Sequence, residues 1–179
     1  AECKRVREAI SHLDLLAEFR PCPNGRNGWS DDQARISNGK RGLPYMVDTN
    51  APYQFKLKGA KEIVPYLWES YGPGESEAPA ALTKSGGGGG GSLASKARPD
   101  FQKVKPIVLY GFEGSSNVAK VKKTLNSLAL AHQFVPCAKG SPNRKKPVFS
   151  KTFQVPFISD PNTGVSMFES AEIVNYLNE

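Results

Sequence analysis

Residues 153–177 read FQVPFISDPNTGVSMFESAEIVNYL. Within that stretch VPFIS has the composition of a strand, and Asp160, Pro161, Asn162, Thr163 and Gly164 are turn residues. VSMF is the returning strand of a hairpin, and Ser170 stands where an N-cap is wanted before a final helix, AEIVNYLNE. Working backwards, HQFVPC (132–137) reads as a short strand. Val118, Val121, Leu125 and Leu128 recur at helical spacing. PIVLYGF (106–112) is β-branched and aromatic, which predicts a buried strand. The order is strand, helix, strand, a middle region, hairpin, helix. That order predicts a thioredoxin-like α/β layer.

The same segments occur once before, in the same order. The earlier set is CKRVREAISHLDL, FRPCPNG, LPYMVDTN and EIVPYL; the later set is AKVKKTLNSLAL, FVPCAKG, VPFISDPN and EIVNYL. Four matched segments indicate a duplicated domain. Val6, Ile10 and Leu13 give the first helix of the earlier copy its apolar spacing. Between the copies the chain is rich in Gly, Pro, Ala and Ser, including six consecutive glycines, Gly86 to Gly91. That composition predicts a flexible linker over 73–103, joining a first domain at 1–72 to a second at 104–179.

Hydrophobic residues make up 39% and charged residues 23% of the chain, ordinary values for a globular protein. No apolar run of about 18 residues is present, so no membrane span is expected. No signal peptide or basic amphipathic presequence opens the chain, and the absence of an initial Met fits the removal of a targeting segment. The net charge of +7 is concentrated in the second copy, notably at Arg144, Lys145 and Lys146. These residues read as a solvated loop or a phosphate-seeking patch. No aromatic stacking motif accompanies them, so nucleic acid is not an expected partner. Cys3, Cys22 and Cys137 form no CxxC, and His12 and His132 have no metal-ligand spacing. Cysteine usage of this kind suits a reducing compartment.

The residues DPNTGVSMFESAEIVNYL (160–177), FQVPF (153–157) and CAKGSPNR (137–144) resemble the glutathione-transferase N-terminal, glutaredoxin-like domain. The tandem arrangement is most similar to two-domain proteins of plant and algal plastids, and the likeness covers nearly all of the chain outside 73–103. It implies two tandem thioredoxin-like domains and three features that bind glutathione or a dithiol. The first is a C-P-x-C-like motif at a helix N-terminus, where the helix dipole favours a thiolate. In the second copy its positions are Ser115, Ser116, Asn117 and Val118. Ser115 could activate a glutathione thiol, as a serine does in some transferases, or serve as a helix cap. In the first copy Cys3 falls at the second, resolving position, and the first position falls before Ala1.

The second feature is a cis-proline whose preceding residue offers backbone hydrogen bonds; Val155–Pro156 and Leu43–Pro44 match it. The third is an acidic-Ser pair at a helix N-terminus, which receives the γ-glutamyl end of glutathione. Glu169–Ser170 matches that pair, and the first copy has Gly59–Ala60 there instead. Cys22 and Cys137, each after a proline at a strand end, read as buried packing residues. The all-helical domain that transferases append does not follow Glu179, which weighs against conjugation of a xenobiotic.

The resemblance therefore implies a non-catalytic binding or scaffold protein of the chloroplast, held by a protein partner or a larger complex, with no required cofactor. Its alternative is a glutathione-dependent transferase or oxidoreductase using Ser115, Val155, Pro156, Glu169 and Ser170. A thiol sensor built on Cys3 is the third reading. One further expectation concerns the first copy, which opens on its helix with no counterpart of PIVLYGFEG. Strands near Phe19 and Tyr45 would then face each other across a gap of about 9–10 Å, two strand spacings. A strand upstream of Ala1, or one donated by the linker or a partner chain, would fill it.

Overall fold

The computed structural model describes residues 2–23, 29–39, 42–51, 54–83, 96–97 and 100–179. Among the described residues six α-helices lie at Glu2–His12 (α1), Ser30–Ile36 (α2), Ala60–Tyr71 (α3), Ala80–Thr83 (α4), Ser116–Ser127 (α5) and Ser170–Asn178 (α6). The same residues form seven strands, at Ala17–Phe19 (β1), Tyr45–Asp48 (β2), Phe55–Lys58 (β3), Ile107–Gly111 (β4), His132–Pro136 (β5), Phe157–Ser159 (β6) and Ser166–Phe168 (β7). The chain divides into two compact units. The first is Ala1–Leu13 with Ser30–Gly91; the second is Asp14–Trp29 with Ser92–Glu179. The units do not follow a single cut in the linker, because residues 14–29 belong to the second.

The second unit holds a five-stranded sheet in the order β1-β5-β4-β6-β7. Strands β4 and β5 run parallel, while β4–β6 and β6–β7 are antiparallel. Four of these strands and the two helices α5 and α6 are the thioredoxin-like layer expected from the sequence. Its core is Ile107, Leu109, Val118, Val121, Leu125, Phe134, Ile158 and Ile173, so both helices press their 3.6-period apolar stripes against the sheet. Gly111 ends β4 where a Cβ would come within 2.7 Å of Val118 Cγ2. Its missing side chain lets the start of α5 sit hard against the strand end.

The first unit is a smaller assembly. Strands β2 and β3 form a two-stranded antiparallel hairpin, with Tyr45 opposite Lys58 and Asp48 opposite Phe55. Helices α1 and α3 supply most of its interior: Val6, Ala9, Ile10, Ala60, Ile63, Val64, Leu67 and Trp68 are all buried. The buried Ser11 hydroxyl and Trp68 indole N–H have no hydrogen-bond partner among the described residues. Such groups cost about 1–3 kcal/mol each.

The expected gap between Phe19 and Tyr45 is not what the chain forms. Phe19 lies in β1, opposite His132 on the outer edge of β5, while Tyr45 pairs with Lys58 in the separate hairpin. The physical reason is the edge of β5 opposite β4, where β1 satisfies its backbone groups. Both prolines singled out in the sequence follow cis bonds, Leu43–Pro44 and Val155–Pro156.

Candidate functional site

The site expected in the second unit is assembled by three chain segments. Ser115 is the N-cap of α5, and its half-buried hydroxyl accepts a hydrogen bond from the Val118 amide at 3.3 Å. One oxygen lone pair therefore holds a helix end that would otherwise be unsatisfied. Val155 precedes the buried cis-Pro156 and packs between the main core and the aromatic cluster of Phe149, Phe157 and Phe168. Among the described residues no backbone hydrogen bond engages Val155, so its N–H and C=O are available to an extended ligand. Glu169 occupies the N-cap position of α6 with φ at 69°, and its carbonyl accepts the first helical bond from the Ile173 amide at 2.9 Å. Ser170 is thus the first helical residue rather than the cap.

Two contacts sequence reasoning did not foresee tie these segments together. Ser170 Oγ donates to Asn117 Oδ1 at 3.4 Å, which brings the first turns of α5 and α6 side by side. Gln154 Nε2 donates to Glu169 Oε1, joining the cis-proline segment to the start of α6. Asn117 and Gln154 are each next to or inside a motif position, which is the signal that could have found them. The result brings Ser115, Val155, Pro156, Glu169 and Ser170 together around two adjacent helix N-termini. Such an arrangement can hold an anionic group at the amide ends and pair with the backbone of an extended ligand. A sulfur nucleophile is not part of it. Cys137 is fully buried after β5, and burial together with the Asp14 charge pushes its thiol up to about 11.

The first unit has filled the corresponding places with its own groups. At the start of α3 the Ala60 amide donates to Glu2 Oε2 at 3.3 Å, so an internal carboxylate stands where a ligand carboxylate would. Gly59 caps that helix with φ at 82° and donates its amide to Pro44 O at 2.8 Å. Cys3 lies one residue into α1 and is half-buried; burial raises its thiol pKa, outweighing the nearby Arg7 charge. A raised pKa is the reverse of what a reactive cysteine needs. A cavity of about 380 Å³ of mixed polar and apolar lining opens between the end of α2 and the hairpin, with Ile36, Asn38, Tyr45, Leu57, Lys58 and Glu62 among its walls. Lys56 there donates to Ile36 O at 3.2 Å and closes the last turn of α2. Among the described residues no group of His, Cys, Asp and Glu is placed to hold a metal ion, and no helix is long and apolar enough to cross a membrane.

The remaining twin feature is structural. In the second unit Asp160 accepts from the Asn162 amide at 2.8 Å and from the Tyr176 hydroxyl at 2.7 Å. In the first, Asp48 accepts from the Asn50 amide at 2.8 Å, from Tyr66 at 2.7 Å and from Tyr71. Each hairpin turn is therefore bolted to the helix that follows it by a carboxylate and a phenol.

A thioredoxin-like layer with a cis-proline facing the start of its last helix defines the class of fold. The family model described as "Glutathione S-transferase, N-terminal domain" matches residues 1–77 and again 109–179. The chain belongs to that family and carries its domain twice. No curated protein and no solved structure matches the chain.

Proposed function

We propose that this protein is a non-catalytic binding or scaffold protein of the chloroplast, working within a larger assembly. Its thioredoxin-like surfaces serve as contacts, and no cofactor is required. The observation that carries this reading is the reassignment of the reacting positions to structural work. Ser115 caps α5, and Glu2 closes the start of α3. Among the described residues no available thiolate is coupled to a complete ligand site, and the thiolate is the nucleophile of this chemistry. The chloroplast assignment follows from the likeness to tandem plastid proteins.

A second reading has its own support. The free backbone of Val155 beside cis-Pro156 and the Glu169–Ser170 pair would still orient glutathione, and Ser115 keeps a hydroxyl proton to donate to a bound sulfur. That reading makes the chain a glutathione-dependent transferase or oxidoreductase. Calorimetric titration with glutathione, paired with turnover of an aryl halide and of a mixed glutathione disulfide, separates the two. The binding reading expects no turnover above buffer and co-purification of the tagged protein with a large complex from plastids. Turnover that disappears on Ser115→Ala would establish the enzyme instead.

A further inference from the structure

Between Cys137 and Asp160 the second copy carries five basic residues, Lys139, Arg144, Lys145, Lys146 and Lys151, and no Asp or Glu. The corresponding stretch of the first copy, where the repeat diverges, includes Asp31 and Asp32 among its basic residues. In the second unit the stretch leaves β5, makes two short helical turns at Pro142–Lys145 and Pro147–Phe149, and ends at cis-Pro156. It is anchored at both turns. Ser141 Oγ donates to Asp14 Oδ1 at 2.7 Å and Asn143 Nδ2 to Pro136 O at 2.8 Å, while Phe149 is buried against Tyr110 and Phe157. The charges therefore ride on a held loop.

Two of the cations sit on aromatic faces. Arg144 Cζ lies 3.8 Å from the centroid of the Phe153 ring, and Lys146 Nζ lies 5.5 Å from that of Tyr110. A stacked guanidinium keeps its N–H edge for a planar acceptor, and a carboxylate fits that edge. Among the described residues neither cation pairs with a carboxylate. The acids at this end of the sheet are already engaged: Asp14 with Ser141 and Asn143, Glu113 with Lys122, and Glu169 with Gln154. Two residues beyond Phe153 lies Val155, whose backbone no described residue engages and where an extended chain can pair. Nucleic acid fits the strip poorly, because bases stack on bare rings and a face of both Phe153 and Tyr110 is taken by a cation.

We propose that this strip docks an acidic, extended segment of a partner protein, with its carboxylates on Arg144 and Lys146 and its backbone on Val155. The inference rests on the binding reading above and names the chemistry of the partner. The test follows the anisotropy of a fluorescein-labelled peptide alternating glutamate with valine, added to the full chain. Its affinity is expected to fall at least about tenfold between roughly 0.05 and 0.5 M salt. Arg144→Glu with Lys146→Glu should weaken it at least about tenfold, and the milder Arg144→Gln with Lys146→Gln at least about threefold. Lys103→Glu with Lys105→Glu makes the same charge change at the opposite end of β4 and should cost less than about twofold. Amide exchange at Val155 should slow at least about tenfold in the complex. No peptide binding, equal losses in the two reversals, an unchanged Val155 amide, or tighter binding of a lysine–valine peptide or of an oligothymidylate would overturn the inference. Glutathione turnover that depends on Ser115 would remove the binding reading and this inference with it. A chain that turns nothing over and binds no acidic peptide would overturn this inference alone.

Discussion

Replacing Asp48 with alanine removes the acceptor that joins the first hairpin to α3. The carboxylate is 7% exposed and takes three hydrogen bonds, from the Asn50 amide, Tyr66 and Tyr71. Hydrogen bonds to a charged group contribute about 1.5–3 kcal/mol each when removal strands a buried partner. Tyr71, 37% exposed, and the exposed Asn50 regain water, so most of the loss falls on the half-buried Tyr66 hydroxyl. The expected cost is about 2 kcal/mol, or roughly 8–16 °C in the melting temperature of a unit this size. Trp68 lies in the first unit and Trp29 in the second. Trp68 fluorescence in a Trp29→Phe background therefore reports the first unit alone.

The pH dependence makes the argument sharper. Burial by itself raises the Asp48 pKa, but the hydrogen bonds from Tyr71, Tyr66 and the Asn50 amide outweigh it and leave the pKa lowered. A lowered folded pKa gives stability that is present above the ordinary carboxylate value, about 3.9, and lost as pH falls through the folded value. Tyr66 and Tyr71 are raised, first by the bond to Asp48 and then by burial. Their contribution is complete below about 10 and is lost as pH rises through their raised values. The difference between wild type and Asp48→Ala should thus be flat near neutrality and shrink at both extremes. A difference below about 0.5 kcal/mol at neutral pH, or one that does not change from neutral to strongly acid solution, would refute the reasoning.

Three other outcomes are expected. Ser115→Ala should destabilise the second unit by about 1 kcal/mol in denaturant titration, and Ser115→Asp should restore most of it, because both serine and aspartate cap helices. Trp29→Ala should cost the second unit about 3 kcal/mol by loss of the buried indole and its bond to Ala129, measured by calorimetry. Cys137, fully buried and with its thiol pushed up to about 11, should react with a disulfide reagent at pH 8 only after unfolding.

Much of the second unit was legible in the sequence because its signals are local. The apolar spacing of Val118, Val121 and Leu125 becomes the buried stripe of α5, and PIVLYGF becomes the central strand β4. The two cis bonds were implied by the family resemblance, through the match of Val155–Pro156 and Leu43–Pro44 to its proline position. The destination of β1 was not legible, since Ala-Glu-Phe has the same pattern whichever sheet edge it joins. Helix α2 lies in the stretch where the copies diverge, so no repeat pointed to it. The Glu2 contact to Ala60 joins residues 58 positions apart and has no sequence signature. The hairpin bolts did have one: an Asp-x-Asn followed by Tyr occurs in both copies, at Asp48, Asn50 and Tyr66 and at Asp160, Asn162 and Tyr176.

The position of β1 also governs how the chain can be cut. A fragment starting at residue 104, where the repeat alone would place a boundary, keeps β5 and discards the strand lying on it. His132 and Phe134, now 2% and 0% exposed, would then border a bare row of backbone donors and acceptors. Bare edges of that kind template aggregation. Such a fragment should precipitate or associate where the intact chain does not, and any shortened version meant for crystallography or spectroscopy should carry Asp14–Trp29 with it.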